Sequence, residues 1–300
     1  MPSPDKLVDT TLDPFENKFL QLKAGNMHFV DEGKGDLILF VHGTPTWSFL
    51  YRDFIKNLSK DHRCIAIDHL GFGLSDKPDI QYTMADHIRY VEHFINELDL
   101  QNITLVMHGS GSIIGSHLAM QQPTRYKGLA YIESHLRPND DLSKISLPLQ
   151  QFVSELDLDG GLEQQILENN TIVKKWLLSG MMTELTEAEI EQYLLPFTDK
   201  NARRPLVQHI KDMPKGQSDS DVLSIIRQYS KQLCQSDVPK LLMYALPGFA
   251  TSIEVVVWAK NHLSNLTVEE IGEALHFPQE SETESFNRIL ERWLVGINTP

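Results

Sequence analysis

The stretch from Leu105 to Ser116, LVMHGSGSIIGS, constrains this chain more than any other. An apolar run of strand length passes through a Gly/Ser-rich turn into an apolar run of helix length. A strand that turns so sharply into a helix lifts the residue at its apex clear of the sheet, a favoured place for a nucleophile. The apex here is Gly109, which has no side chain to attack anything. The turn keeps the shape of a catalytic corner without its reactive group.

The pattern on either side repeats strand and helix. Residues 18–32 predict two short strands around a turn at Gly25 and Asn26. Continuous apolar runs at Leu37–Val41, Cys64–Ile67, Ile103–Met107 and Leu129–Ile132 predict strands buried on both faces. Between them, Leu50–Leu58 reads as a helix, Thr83 as the N-cap of another, and Ile113–Met120 as a third, stopped by Pro123. This order implies a doubly wound, mostly parallel, eight-stranded α/β sheet with right-handed crossovers.

Helical periodicity takes over between His135 and Pro214. An insertion after one strand of such a sheet sits over the carboxyl ends of the strands, where the ligand crevice lies. Residues 135–214 are therefore expected to form a helical cap, with 1–134 and 215–300 forming the core domain. Helix Asp219–Leu233, strand Leu241–Ala245, helix Ile253–His262, strand Leu266–Ile271 and a helix from Glu280 to Val295 complete the chain.

The net charge of −14 argues against nucleic acid or an anionic membrane surface as partner, because both repel an acidic protein. The N-terminal residues show no signal peptide, and the two cysteines, Cys64 and Cys234, lack metal-type spacing. A cytoplasmic protein without disulfides, monomeric or homodimeric, is the expectation. No HxH or HExxH spacing occurs and GFG at 71–73 is too short for a nucleotide fingerprint, so no metal and no cofactor is expected.

Several segments together resemble the haloalkane dehalogenase family of α/β-hydrolases: GNMHFVDEG, VHGTPTWSFLYR, DHLGFGLSDKP, HGSGSIIGSHLAMQQPTRYKGLAYIES, TELTEAEIEQYLLPF, ARRP, VPKLLMYALPG and LHFPQE. The resemblance implies an α/β-hydrolase fold with an inserted helical cap. The family's elbow looks like V-[IV]-H-D-W-G-S, with the Asp as nucleophile. Aligned without a gap, Gly109 stands where that Asp belongs and Ser110 where the Trp belongs. The family's second halide donor, an Asn after the first HG, is matched by Thr44. Nucleophile and both halide ligands are thus replaced.

The resemblance also implies what is kept. His276 matches the catalytic histidine and Glu133 the acidic partner of one subgroup; the other subgroup's acid position falls in LPGFATS, where no carboxylate occurs before Glu254. Thr44, Ser110, Gly109 and Trp47 are expected around the oxyanion and substrate position, while His108 is expected to be structural. Ile172, Trp176, His209, Ile210 and Leu275 are expected to line the pocket, as are Met181, Met182 and Leu206–Gln208. Three functions follow as alternatives: a His–Glu acid/base enzyme acting on an apolar small molecule without a covalent intermediate, a capped-pocket binding protein, or a hydrolase using Ser110 or activated water.

Overall fold

The computed structural model describes residues 8–139, 146–156, 161, 163–213 and 220–298. Eight strands form one sheet: β1 (Lys18–Leu22), β2 (Gly25–Glu32), β3 (Asp36–Val41), β4 (His62–Ile67), β5 (Ile103–His108), β6 (Tyr126–Ile132), β7 (Lys240–Pro247) and β8 (Leu266–Ala274). Their spatial order is β1-β2-β4-β3-β5-β6-β7-β8. Strands β1 and β2 pair antiparallel, β2 joins β4 antiparallel, and every later pairing is parallel. The first turn differs from expectation. Leu22 pairs with Gly25, so the chain reverses at Lys23–Ala24, and Asn26 is held in the strand by the Asp76 carboxylate, which accepts from its N–H at 2.7 Å and its Nδ2 at 3.0 Å.

Alternation along the strands explains the two-sided core. Leu37, Leu39 and Val41 face one way with Leu105, Met107, Leu129 and Tyr131; they pack under helices α2 (Met84–Glu97), α3 (Gly111–Gln121) and α7 (Asp221–Leu233). Ile38, Phe40, Val106, Ala130 and Ile132 face the other way, under α1 (Arg52–Leu58) and the C-terminal helix. Thr83 caps α2, its hydroxyl accepting from the Asp86 N–H while Asp86 returns a bond to the Thr83 N–H. The Leu50–Leu58 segment is a single 3₁₀ turn, Ser48–Tyr51, running into α1. Helix α7 begins after a Ser220 cap, and Asp219 lies outside the described residues.

Between β6 and α7 the described residues are helical: α4 (Leu147–Leu156), α5 (Glu187–Leu194) and α6 (Arg204–Asp212), with wide π-type turns at Gln164–Glu168 and Ile172–Leu177. They have an apolar core of their own, in which Phe152, Ile166, Val173, Phe197 and Leu206 meet Phe72 from the loop after β4. The chain ends with α8 (Ile253–His262), the short α9 (Pro278–Ser281) and α10 (Thr283–Asn298). Among the described residues no helix is long and apolar enough to cross a membrane.

Candidate active site

The carboxyl ends of β3, β5, β6 and β8 deliver Thr44, Gly109, Glu133 and His276 to one place, as parallel strands ending at a common edge must. Gly109 takes the left-handed conformation, φ +51°. A Cβ built on it would stand 3.5 Å from the Gly43 Cα and 3.6 Å from His276 Nε2. A side chain therefore has room at the corner, and the first side chain it would meet is the histidine.

His276 Nδ1 lies 3.0 Å from Glu133 Oε2. An ionised carboxylate only accepts, so Nδ1 carries the proton and Nε2 presents its lone pair to the cavity. Glu133 is 1% exposed and sits at φ +47°, a strained value for a residue with a side chain. Its carboxylate is charge-compensated by backbone: Oε2 accepts from the N–H groups of Phe249 at 3.0 Å and Ala250 at 2.5 Å, and Oε1 from Thr251 at 3.3 Å. The LPGFATS loop, which contributes no acid, instead contributes three amides that hold one.

The backbone of His276 is clamped from both sides. Its N–H donates to the Gly180 carbonyl at 2.9 Å, and the Phe277 N–H reaches the same oxygen at 3.2 Å. Its carbonyl accepts from His108 Nε2 at 2.8 Å. Burial, reinforced by the nearby His276 ring, holds His108 well below the usual histidine range, so it stays a neutral donor in a structural position. His135, beside the same ring, is pushed down to about 4, first by burial and then by His276.

A cavity of about 230 Å³ opens above this group. Thr44, Gly109, Ser110, Ile172, Trp176, His209, Ile210, Leu275 and His276 all line it. Glu133 stands behind His276 and touches the cavity only through it. Trp47 does not line it: its extended backbone turns the indole into the core, fully buried and stacked on Phe49 at 5.5 Å. Met181 and Met182 line a separate shallow pocket, and Leu206 and Val207 are buried in the core of the inserted helices. The Thr44 N–H donates to Ser110 Oγ at 3.3 Å, and no hydrogen bond joins Ser110 to His276 among the described residues.

Three wall residues, Phe152, Phe249 and Phe277, carried no signal in the sequence as read. Phe152 and Trp176 meet edge to face at 4.3 Å, and Phe249 and Phe277 flank the His276 ring at 5.0 Å and 4.8 Å. Phe249 lies within the acid-holding LPGFATS loop and Phe277 within LHFPQE, which is where a search for pocket aromatics could have found them. Among the described lining residues there is no Lys or Arg, and the carboxylates are Glu155 and Asp212. No group of three metal-ligating side chains occurs among the described residues.

Comparison with known proteins places this geometry. The family model for the alpha/beta hydrolase fold matches residues 36–283. A haloalkane dehalogenase of Agrobacterium fabrum is 32% identical over 271 residues, covering 90% of this chain and 89% of that protein. One from Sphingobium indicum is 34% identical, covering 89% and 91%. A cis-3-alkyl-4-alkyloxetan-2-one decarboxylase of Shewanella oneidensis is 29% identical, covering 98% and 92%. The crystal structure of the haloalkane dehalogenase DatA from Agrobacterium tumefaciens superposes with a TM-score of 0.89 at 29% identity, covering 96% of this chain and 99% of that one. A sheet of this order, a helical insertion above its carboxyl edge and relatives aligned over nine-tenths of the length lead to one conclusion: the chain belongs to the α/β-hydrolase fold family, as a haloalkane dehalogenase-like member.

Proposed function

We propose that the protein is an acid/base enzyme in which the His276–Glu133 dyad moves a proton on an apolar small molecule, without a covalent intermediate and without dehalogenation. One observation carries this reading: His276 Nε2 points at the empty position of a Gly109 side chain, 3.6 Å from where its Cβ would be. The base faces substrate space instead of a nucleophile. Glu133 supplies the negative charge that stabilises the imidazolium once the proton is taken, and three amides hold its carboxylate in place. The Thr44 N–H, loosely bonded to Ser110 Oγ, is available to a developing alkoxide or enolate. Elimination, isomerisation, intramolecular cyclisation and cofactor-free oxygenation are the reaction classes open to such a base.

The wall supports an uncharged substrate. Its aromatic and aliphatic faces favour apolar matter, and a carboxylate guest would meet Glu155 and Asp212 with no Lys or Arg among the described lining residues. The oxetanone decarboxylase among the relatives supports the view that this scaffold is not confined to dehalogenation. Thr44 and Ser110 stand where the family pattern has its halide donors, so a leaving halide is poorly held.

Two variants test the reading. Against a library of apolar alcohols, ketones and epoxides followed by mass spectrometry, wild type should convert a compound that His276→Gln leaves unchanged. Binding of a compound that is recovered with mass, retention and fragmentation unchanged would instead support the capped-pocket binding protein. Incorporation of one oxygen from labelled water into product would favour a hydrolase that uses His276-activated water. Gly109→Asp should fold and still release no bromide from 1-bromoalkanes; release at the rate of a working dehalogenase sinks the claim that the halide site is gone.

A further inference from the structure

Arg52 opens α1 yet is only 4% exposed, an unusual place for a guanidinium. Its Nη1 donates to Glu280 Oε1 at 2.6 Å and to the Phe49 carbonyl at 3.2 Å; its Nη2 donates to Glu280 Oε2 at 2.8 Å and Glu189 Oε1 at 2.9 Å. The plane of the group lies 4.3 Å over the Phe49 ring, and Tyr193 donates its hydroxyl to Glu280. Burial works against the charge, and the Glu280 carboxylate more than offsets it, so Arg52 stays protonated.

The partners come from three segments that lie behind the site, none of them in the cavity lining. Phe49 follows the Thr44 loop, Glu280 lies four residues after His276 on α9, and Glu189 and Tyr193 lie on α5 of the helical insertion. Buried ion clusters of this kind are often replaceable by apolar groups without loss of stability; their contribution is to hold a geometry. A planar fork that grips one carboxylate with two nitrogens fixes orientation as a lysine cannot. We infer that Arg52 is a positioning residue that keeps the His276 segment in register with the Thr44 loop and the helical insertion. The inference rests on the dyad reading above.

The arms differ. Glu280 is 6% exposed and bound twice, whereas Glu189 is 20% exposed and bound once. The insertion can therefore release Glu189 while the His276 segment stays pinned through Glu280. Loss of Arg52 removes both arms and leaves Glu280 with the Tyr193 hydroxyl alone.

The test uses the full chain, labelled with ¹⁵N-histidine, and needs no substrate. The proton on His276 Nδ1 shared with Glu133 should give a downfield resonance, assigned by its absence from His276→Gln. Arg52→Met should weaken or abolish it and speed amide exchange at His276 and Phe277 by about tenfold or more. Glu189→Gln should keep the resonance and speed exchange in α5 alone. Arg52→Lys, which keeps the charge and loses the fork, should fall nearer Arg52→Met than wild type. If Arg52→Met does not fold, Glu280→Gln cuts the same arm and leaves Arg52 paired with Glu189; it should also lose the resonance. A folded Arg52→Met or Glu280→Gln with the wild-type resonance and exchange overturns the positioning role and leaves the dyad standing. A wild-type protein lacking the resonance removes the dyad itself, and with it the object to be positioned.

Discussion

Glu133 concentrates the residue-scale physics of the site. Its left-handed backbone is strained, and its carboxylate collects four donors, three amides and the His276 imidazole. Glu133→Gln keeps the size but swaps one oxygen for an NH₂ group, which must face either an amide N–H or His276 Nδ1. A donor is left against a donor in a buried place, which costs about 1–3 kcal/mol. We expect a urea midpoint lowered accordingly and a loss of the negative charge opposite the imidazole; wild-type stability would contradict this. His276 and Glu133 were legible in the sequence because short motifs carry them. Trp47 was misplaced because loop membership gives a position but not a direction, and the extended backbone there sends the indole into the core.

At the scale of elements, the junction between the helical insertion and the His276 loop is a backbone affair, invisible to any reading of side chains. The Gly180 carbonyl takes two N–H groups from His276 and Phe277, and Gly180 also lines the cavity. A Cβ there would stand 2.8 Å from Phe277 Cε2 and 3.0 Å from Cδ2, closer than carbon atoms tolerate. Gly180→Ala must push the Phe277 ring, and with it the loop that carries His276. The overpacking costs about 1–3 kcal/mol. Because the push falls on the loop, conversion of a substrate should drop further than its binding. Equal loss of both, or neither, would show that the junction tolerates the shift. The strands themselves were readable because the even and odd positions of β3, β5 and β6 are apolar alike, as a sheet covered on both faces requires. Strand ends were not: β6 starts at Tyr126 and β8 runs on to Ala274, lengths set by pairing with β5 and β7.

For the whole molecule, buried histidines set the response to acid. His42, His69, His87, His108 and His135 are all held below the usual histidine range by burial, His87 and His135 down to about 4. The unfolded chain takes up protons at these positions near pH 6.5, whereas in the folded chain all five are held lower, His87 and His135 until about 4. Across that window the unfolded state binds more protons, so stability falls as the pH is lowered. His87 and His135 contribute roughly 3 kcal/mol each on this basis. Asp13 opposes them: burial, and then Asp68, raise its carboxyl to about 6, so the folded state takes its proton first and gains as the pH drops. Asp212 is raised in the same sense by burial. His117 is lowered by burial as well, and six histidines against two carboxyls leave the histidines ahead. Urea unfolding should therefore show a markedly lower midpoint at pH 5 than at pH 7.5, and substitution of His87 by Phe should flatten the difference. A midpoint that is level or higher at pH 5 would mean that these rings take up protons in the folded state, through water reaching the cluster where His42 and His69 pack at 4.2 Å.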